Sequence, residues 1–242
     1  MIKGLYTSKA GLLPRQRQLE IVANNLANTN TIGFKKDQVF YRHLIDSMNA
    51  ADSAENNESL RKDEIVTDFT SGTYRETGNP LDMAIVDDGF FVIRTPEGDL
   101  YTRNGNFSLD TQGRLTTQDG YPVLGANGQI QFAGNDFSIS ENGTIQVNDR
   151  EVDHLRVVRF DDPGQLTKIG GTYFSDSGES LAIDVAPENL RLRQGYLEGS
   201  NVSGVEEIIT MIELNRQFEM AQKAISTQDQ TLEKLVNDAG RV

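Results

Sequence analysis

The chain has 242 residues, 23 basic and 36 acidic side chains, and a formal net charge of −13. It holds no cysteine, which excludes disulfides, zinc–thiolate sites and cysteine nucleophiles. Its length suits one large domain or a core with a smaller appendage, and an apolar share of 37 % leaves a modest core under a large polar surface.

The charge is unevenly placed. Residues 1–45 carry seven Lys or Arg against Glu20 and Asp37, so this end is basic within an acidic chain. The basic residues are scattered along an apolar-periodic segment and form no run, so nucleic acid is not an expected partner.

Leu5, Leu12, Leu19 and Leu26 recur every seven residues, with Ile2, Val22 and Ala23 extending the same face. That periodicity predicts a coiled-coil-like N-terminal helix. Pro14, preceded by Gly11, predicts a kink or a fresh helix start, because proline removes a donor and clashes with the preceding turn. The helix is expected to end near Asn30, before Thr31-Ile32-Gly33, and the N-terminal helical part to reach about residue 45. Lys3, Lys9 and Arg15 interrupt any continuous apolar run, so no cleaved signal peptide is expected.

Residues 46–64 are small, polar and mostly acidic, and read as a linker or loop. From 65 to 195 the pattern changes to period two with dense turns, predicting a central all-β domain of short hairpins. Phe90-Phe91-Val92-Ile93 and Leu100-Tyr101-Thr102-Arg103 read as strands around a turn at Pro96–Asp99. Asn104-Gly105 reads as a type I′ hairpin turn. Gln112-Gly113, Asp119-Gly120, Asn127-Gly128 and Asn142-Gly143 continue the punctuation, and His154–Phe160 reads as one longer strand.

The C-terminal part, 196–242, is helical. Met211, Phe218, Ile225 and Leu232 are spaced by seven, and Leu214, Ala221, Gln228 and Leu235 follow each by three. This is an a/d seam with one polar position. Ser200 or Asn201 is the expected cap. Two narrow apolar stripes so far apart in sequence are best satisfied by pairing, and the surface left at their sides asks for neighbouring subunits.

The chemistry-bearing motifs are absent: no phosphate-binding loop, no nucleophile elbow, no H-E-x-x-H and no calcium loop. His43 and His154 lie in unrelated segments. Asp87-Asp88 and Asp161-Asp162 belong to turn chemistry at Gly89 and at Pro163-Gly164. No catalytic residue, cofactor or metal site is expected, and no small-molecule substrate.

One N-terminal string is more specific. Ala23-Asn24-Asn25-Leu26-Ala27-Asn28-Thr29-Asn30-Thr31-Ile32-Gly33-Phe34-Lys35 resembles the motif of the bacterial flagellar rod and hook family. The resemblance continues through Thr77-Gly78-Asn79-Pro80-Leu81-Asp82-Met83-Ala84-Ile85, Gly89–Ile93, Tyr101-Thr102-Arg103-Asn104-Gly105-Asn106-Phe107, and Gln194-Gly195-Tyr196-Leu197-Glu198-Gly199-Ser200-Asn201-Val202. The small β domain is unlike the larger insertions of the hook protein. The ending Leu235–Val242 looks more like the proximal-rod member than the distal-rod member.

The expectation is therefore an α+β chain in which N- and C-terminal helices pair as a coiled-coil-like core layer, with a central all-β domain of short hairpins outside it. The resemblance implies a non-enzymatic subunit of the basal-body rod that polymerises into the torque-transmitting shaft. Its partners would be copies of itself, other rod and hook subunits, and the flagellar export apparatus. The expected subunit interface comprises Leu5, Leu12, Leu19, Asn24, Asn25, Leu26 and Asn28 on the first helix. On the last helix it comprises Met211, Leu214, Phe218, Ile225, Leu232 and Leu235. The alternatives are a distal-rod or hook-type subunit and, from another class, a secreted β-rich carbohydrate-active or carbohydrate-binding protein.

Overall fold

The computed structural model describes the backbone of residues 2–43, 61–132, 137–148, 150–176, 178 and 180–239. It describes their side chains except those of 2–13, 40–43, 61–64, 228, 229 and 232–239. The chain divides into two units. One holds Met1–Ala27, Asp37–Thr67 and Ser203–Val242; the other holds Asn28–Lys36 and Asp68–Val202.

The first unit contains helix α1, Ile2–Ala27, and helix α2, Gly204–Ala239, which pack against one another. α1 runs as a single helix through Pro14. Its inward face centres on Val22 and Asn25, both buried, with Leu19 and Leu26 half-buried beside them. On α2 the less exposed positions are Glu207, Met211, Leu214, Phe218, Ala221 and Ile225. Their spacing alternates between four and three, the period read in the sequence from Met211 to Ile225. α2 starts later than expected: the Ser203 carbonyl accepts the Glu207 amide at 3.0 Å, opening the helical ladder after Asn201. Glu206 and Glu207 in the first turn favour the positive end of the helix dipole.

The stretch after α1 departs from expectation. Asp37–His43 is a strand paired antiparallel with Arg61–Thr67, from Asp37 opposite Thr67 to His43 opposite Arg61. It lies within the 1–45 segment read as helical. Val39, Phe40 and Tyr41 favour a pleated chain, but three apolar residues in a row carry no two-residue alternation to set against the heptads upstream. The paired strand also crosses the 64/65 boundary. Residues 44–60, most of the expected linker, lie outside the described residues.

The second unit is built from antiparallel strands. Six form one sheet in the order Thr167–Gly170, Tyr173–Ser175, Gly98–Thr102, Phe90–Thr95, Val157–Phe160, Ala182–Asp184. Shorter pairs join Met83–Ile85 to Leu192–Gln194, Tyr74–Glu76 to Tyr196–Glu198, and Phe107–Leu109 to Leu115–Thr117. The run Phe90–Ile93 is apolar without alternation because both faces of its strand are covered. Phe91 and Ile93 enter a core with Met83, Phe107 and Leu115. Phe90 and Val92 enter a second core with Phe160 and Phe174. Alternate side chains of a strand point to opposite faces, so a continuous apolar run marks a strand buried on both.

Two turn readings need correction. Asn104-Gly105 is no hairpin turn, since it links Gly98–Thr102 to Phe107–Leu109, which lie in different sheets. Its glycine serves a close approach, because a Cβ there would lie 1.6 Å from the Met83 carbonyl oxygen. The expected strand His154–Phe160 is broken at Leu155–Arg156, where Arg150–His154 ends and Val157–Phe160 begins in another sheet. Gly113, Gly120 and Gly143 do occupy turns at positive φ.

Candidate functional site: two joints built from separated motifs

The segment Asn28–Lys36 follows α1 and belongs to the β-rich unit. Asn28 ends the helix, its carbonyl accepting the Thr31 amide at 3.1 Å and its side-chain oxygen accepting the Thr31 hydroxyl at 3.0 Å. Gly33 then takes φ +68, and any Cβ there would lie 2.4 Å from the Asn104 nitrogen. Its amide donates to the Glu198 carbonyl at 2.8 Å. The turn delivers Phe34 and Lys35 into the interior, where they are 1 % and 0 % exposed.

Lys35 meets the motif near the other end of the chain. Its Nζ donates to Glu198 Oε1 at 2.7 Å and to the Thr70 carbonyl at 2.7 Å. The same Oε1 accepts the Gly72 amide at 3.1 Å. Glu198 Oε2 faces the Arg103 guanidinium at 3.5 Å, and Arg103 in turn donates to the Asp87 carbonyl at 3.0 Å. All three charged side chains are buried. One carboxylate thus serves two cations. The surplus charge is met by Asp88, 4.0 Å away and largely exposed, and by the Phe90 ring, whose centroid lies 5.3 Å from the guanidinium carbon. Arg103 Nε is buried without a hydrogen-bond partner. Burial pushes the Lys35 ammonium below the ordinary lysine value; Glu198 pulls the other way and Arg103 adds to the lowering.

A neutral tie lies beside this trio. Asn201 Oδ1 accepts the Lys36 amide at 2.8 Å, and its Nδ2 donates to the Asp68 carbonyl at 2.8 Å. The Asp68 amide donates to the Lys36 carbonyl at 2.8 Å. Lys168 adds a bond to the Lys35 carbonyl at 2.9 Å and lies over the Phe34 ring at 4.0 Å. The chain enters this unit at Asn28 and Asp68 and leaves it at Lys36 and Val202. One asparagine therefore ties two of those four crossings together, one residue before the last.

A second joint centres on Asp82. Its carboxylate accepts the Thr77 hydroxyl at 2.7 Å and the Asn106 amide group at 2.8 Å. Its carbonyl accepts the Gly195 amide at 2.8 Å, and Gly195 accepts the Thr77 amide at 2.8 Å. The strings around Thr77, Asn106 and Gly195 thus meet at one aspartate, the first two at its carboxylate and the third at its backbone carbonyl.

The expected interface residues are placed as follows. Leu214 is buried, while Leu19, Leu26, Met211, Phe218 and Ile225 are half-buried. Asn24 is exposed. Asn25 is buried, with its Nδ2 donating to the Asp37 carbonyl at 2.9 Å and its Oδ1 accepting the Asp37 amide at 3.0 Å. Leu5, Leu12, Leu232 and Leu235 have side chains outside those described. The sequence assigns no role to Lys35, Arg103 or Glu198, and Asn201 is expected only as a helix cap. Their one signal in the sequence was that each sits inside a motif string. Among the described residues no group of His, Asp or Glu is arranged to hold a metal.

Three stretches of the chain match known protein families. Residues 5–35 match the family described as flagella basal body rod protein, residues 84–147 the flagellar hook protein FlgE/F/G D1 domain, and residues 193–238 the flagellar basal body rod FlgEFG protein C-terminal. The flagellar basal-body rod protein FlgG of Bacillus subtilis (strain 168) is 34 % identical, covering 98 % of this chain and 99 % of its own length. This chain belongs to the flagellar basal-body rod protein family. The rod protein FlgG of Borreliella burgdorferi is 35 % identical over 96 % of this chain and 97 % of its own length. The flagellar hook-basal body complex protein FlhO of Bacillus subtilis is 30 % identical over the whole of both chains. As a member of the rod family the chain is a structural subunit, not an enzyme. The stretches matched at the two ends contain Lys35 and Glu198, the partners of the buried joint.

Proposed function

We propose that this subunit builds the basal-body rod through its terminal helices, assembling with copies of itself and with other rod and hook subunits into a shaft that transmits torque. In this reading the helical segments within 1–45 and 196–242 form an inner layer, the β-rich part within 65–195 an outer one, and 46–64 a connection. The helices pair as a coiled coil whose seam continues between subunits, involving Leu5, Leu12, Leu19, Leu26, Met211, Phe218, Ile225, Leu232 and Leu235. Asn24 and Asn28 bond to neighbouring backbones. The subunit reaches the periplasm through the flagellar export apparatus, without a cleaved signal.

The observation that carries the reading is the unfinished seam. Leu19, Leu26, Met211, Phe218 and Ile225 stay half-exposed although α1 and α2 already pack together. Apolar surface left in this state contributes about 25 cal/mol per Å² when a neighbour removes it from water. Contacts of one subunit with the next that do not close into a ring generate an open helical polymer.

The test replaces the native chain in a flagellated cell by Leu26→Asp or Ile225→Asp. Both variants should keep the β-rich unit folded, judged by its near-ultraviolet circular dichroism, yet leave basal bodies without a complete rod. Normal flagella in either variant would refute the role of the helices.

A further inference from the structure

α2 has a second apolar face. Val205, Ile208, Ile209 and Ile212 are 70 %, 47 %, 52 % and 48 % exposed. On a helix of 3.6 residues per turn they lie opposite the seam of Glu207, Met211 and Leu214. One turn beyond Ile212 the same face presents Arg216, which is exposed. α1 has an outer face as well. Gln16, Glu20, Ala23 and Ala27 are exposed, at spacings of four, three and four, opposite Val22 and Asn25.

The two outer faces complement one another in size, charge and spacing. α2 offers branched apolar side chains and then a cation. α1, read backwards from Ala27, offers two alanines and then an anion. Seven residues separate Ile209 from Arg216, and seven separate Ala27 from Glu20, about 10.5 Å along each axis. We propose that the outer face of α2 seats antiparallel on the outer face of α1 in a second copy of this chain, Ile209 against Ala27 and Arg216 beside Glu20. The inference rests on the rod-building role and names the surfaces that perform it.

The same face cannot dock on its own like, because Arg216 would then meet Arg216 or isoleucine, and like charges across an interface repel. The contact is therefore heterologous and propagates. It is also small. Four such side chains cover roughly a few hundred Å², below the roughly 800 Å² per partner of a stable interface. It therefore forms only alongside other contacts, as inside a growing polymer.

The chain has no cysteine, so an introduced pair reports alone. The full chain carrying Ala27→Cys and Ile209→Cys is made the only copy in a flagellated cell. Isolated basal bodies are oxidised with copper phenanthroline and run on a denaturing gel. A ladder of homomultimers is expected, and none from Ala27→Cys with Lys223→Cys, whose second site lies on the same outer face about 21 Å further along. Equal ladders from both pairs, no ladder from assembled rods, or a cross-link to another protein would overturn the pairing. A charge exchange reads the same contact without cysteines. Glu20→Arg or Arg216→Glu should each weaken it about fivefold, the upper range for an exposed pair, and shrink the swimming halo, while the double variant restores it. A double variant no better than either single change would overturn it too. Absence of the wild-type chain from basal bodies would instead remove the rod reading itself, and this pairing with it.

Discussion

Lys35 and Glu198 stand 163 residues apart in sequence and 2.7 Å apart in space, with both side chains fully buried. Taking two charges out of water costs several kcal/mol per ion, and only close geometry with further hydrogen bonds offsets it. Thr70, Gly72 and Arg103 supply those bonds. The pair fixes where the segment leaving α1 enters the β-rich unit.

The trio makes the two single replacements unequal. Lys35→Met leaves Glu198 paired with Arg103, whereas Glu198→Leu leaves two buried cations facing each other. Glu198→Leu should therefore destabilise the protein by about 3–5 kcal/mol and Lys35→Met by less. The double variant should lose less than the sum of the two. Urea unfolding of all four proteins measures the cycle. Equal losses, or simple additivity, would mean that the charges are not coupled.

Gly33 and Gly78 separate two reasons for a glycine. Their φ angles are nearly equal, +68 and +69, but a Cβ meets nothing within 4 Å at Gly78 and meets Asn104 backbone at Gly33. Gly78→Ala should cost about 1 kcal/mol, the price of a left-handed L-residue. Gly33→Ala should cost about 1–3 kcal/mol more, because backbone must move. Midpoints of thermal or urea unfolding compare the two directly. Equal costs would show that the close approach of 33 to 104 is readily relaxed.

Much of the architecture was legible from residue periodicity. The α2 seam at 207, 211, 214, 218, 221 and 225 follows the spacing written in Met211, Phe218 and Ile225. The four-residue apolar run at Phe90 marked a strand, which the structure buries on both faces. The joints were not legible in this way. A buried Lys35 or Arg103 has no periodic signature, because its burial depends on Glu198, placed by distant strand pairing. Asn104-Gly105 misled for a related reason: the glycine answers Met83, a tertiary neighbour, and not a local turn. Asn201, offered as a helix cap, is consumed by Lys36 and Asp68.

Tyr173 gives the protein an alkaline limit. Burial, and then its hydrogen bond to Asp119, raise its hydroxyl from 10.0 to about 12. The folded state keeps this proton where the unfolded chain has lost it. Its stabilising contribution is thus complete below pH 10 and disappears as pH rises through about 12. Tyr173→Phe should remove that share, so the stability gap between wild type and variant should narrow from pH 10 to 12. Tyr101 shifts in the same direction and remains in both proteins as common background. A gap that stays constant with pH would show that the Tyr173 proton does not report folding.

Hydrogen exchange on the isolated subunit should divide the chain at the first joint. The helices carry apolar stripes that one chain leaves half-covered, so amides of α1 before Ala27 and of α2 after about residue 205 should exchange fast. The amides of Gly33 and Lys36 should be slow, because they donate to Glu198 and Asn201 inside the β-rich unit. Asn201→Ala should speed Lys36 selectively and leave Gly33 slow, since Gly33 uses a backbone acceptor. The variant also removes the donor to Asp68, so the loss should be about 1–3 kcal/mol. Slow exchange along the whole of α1 and α2 in the free subunit would contradict helices completed by neighbours. Fast exchange at Gly33 would contradict the joint itself.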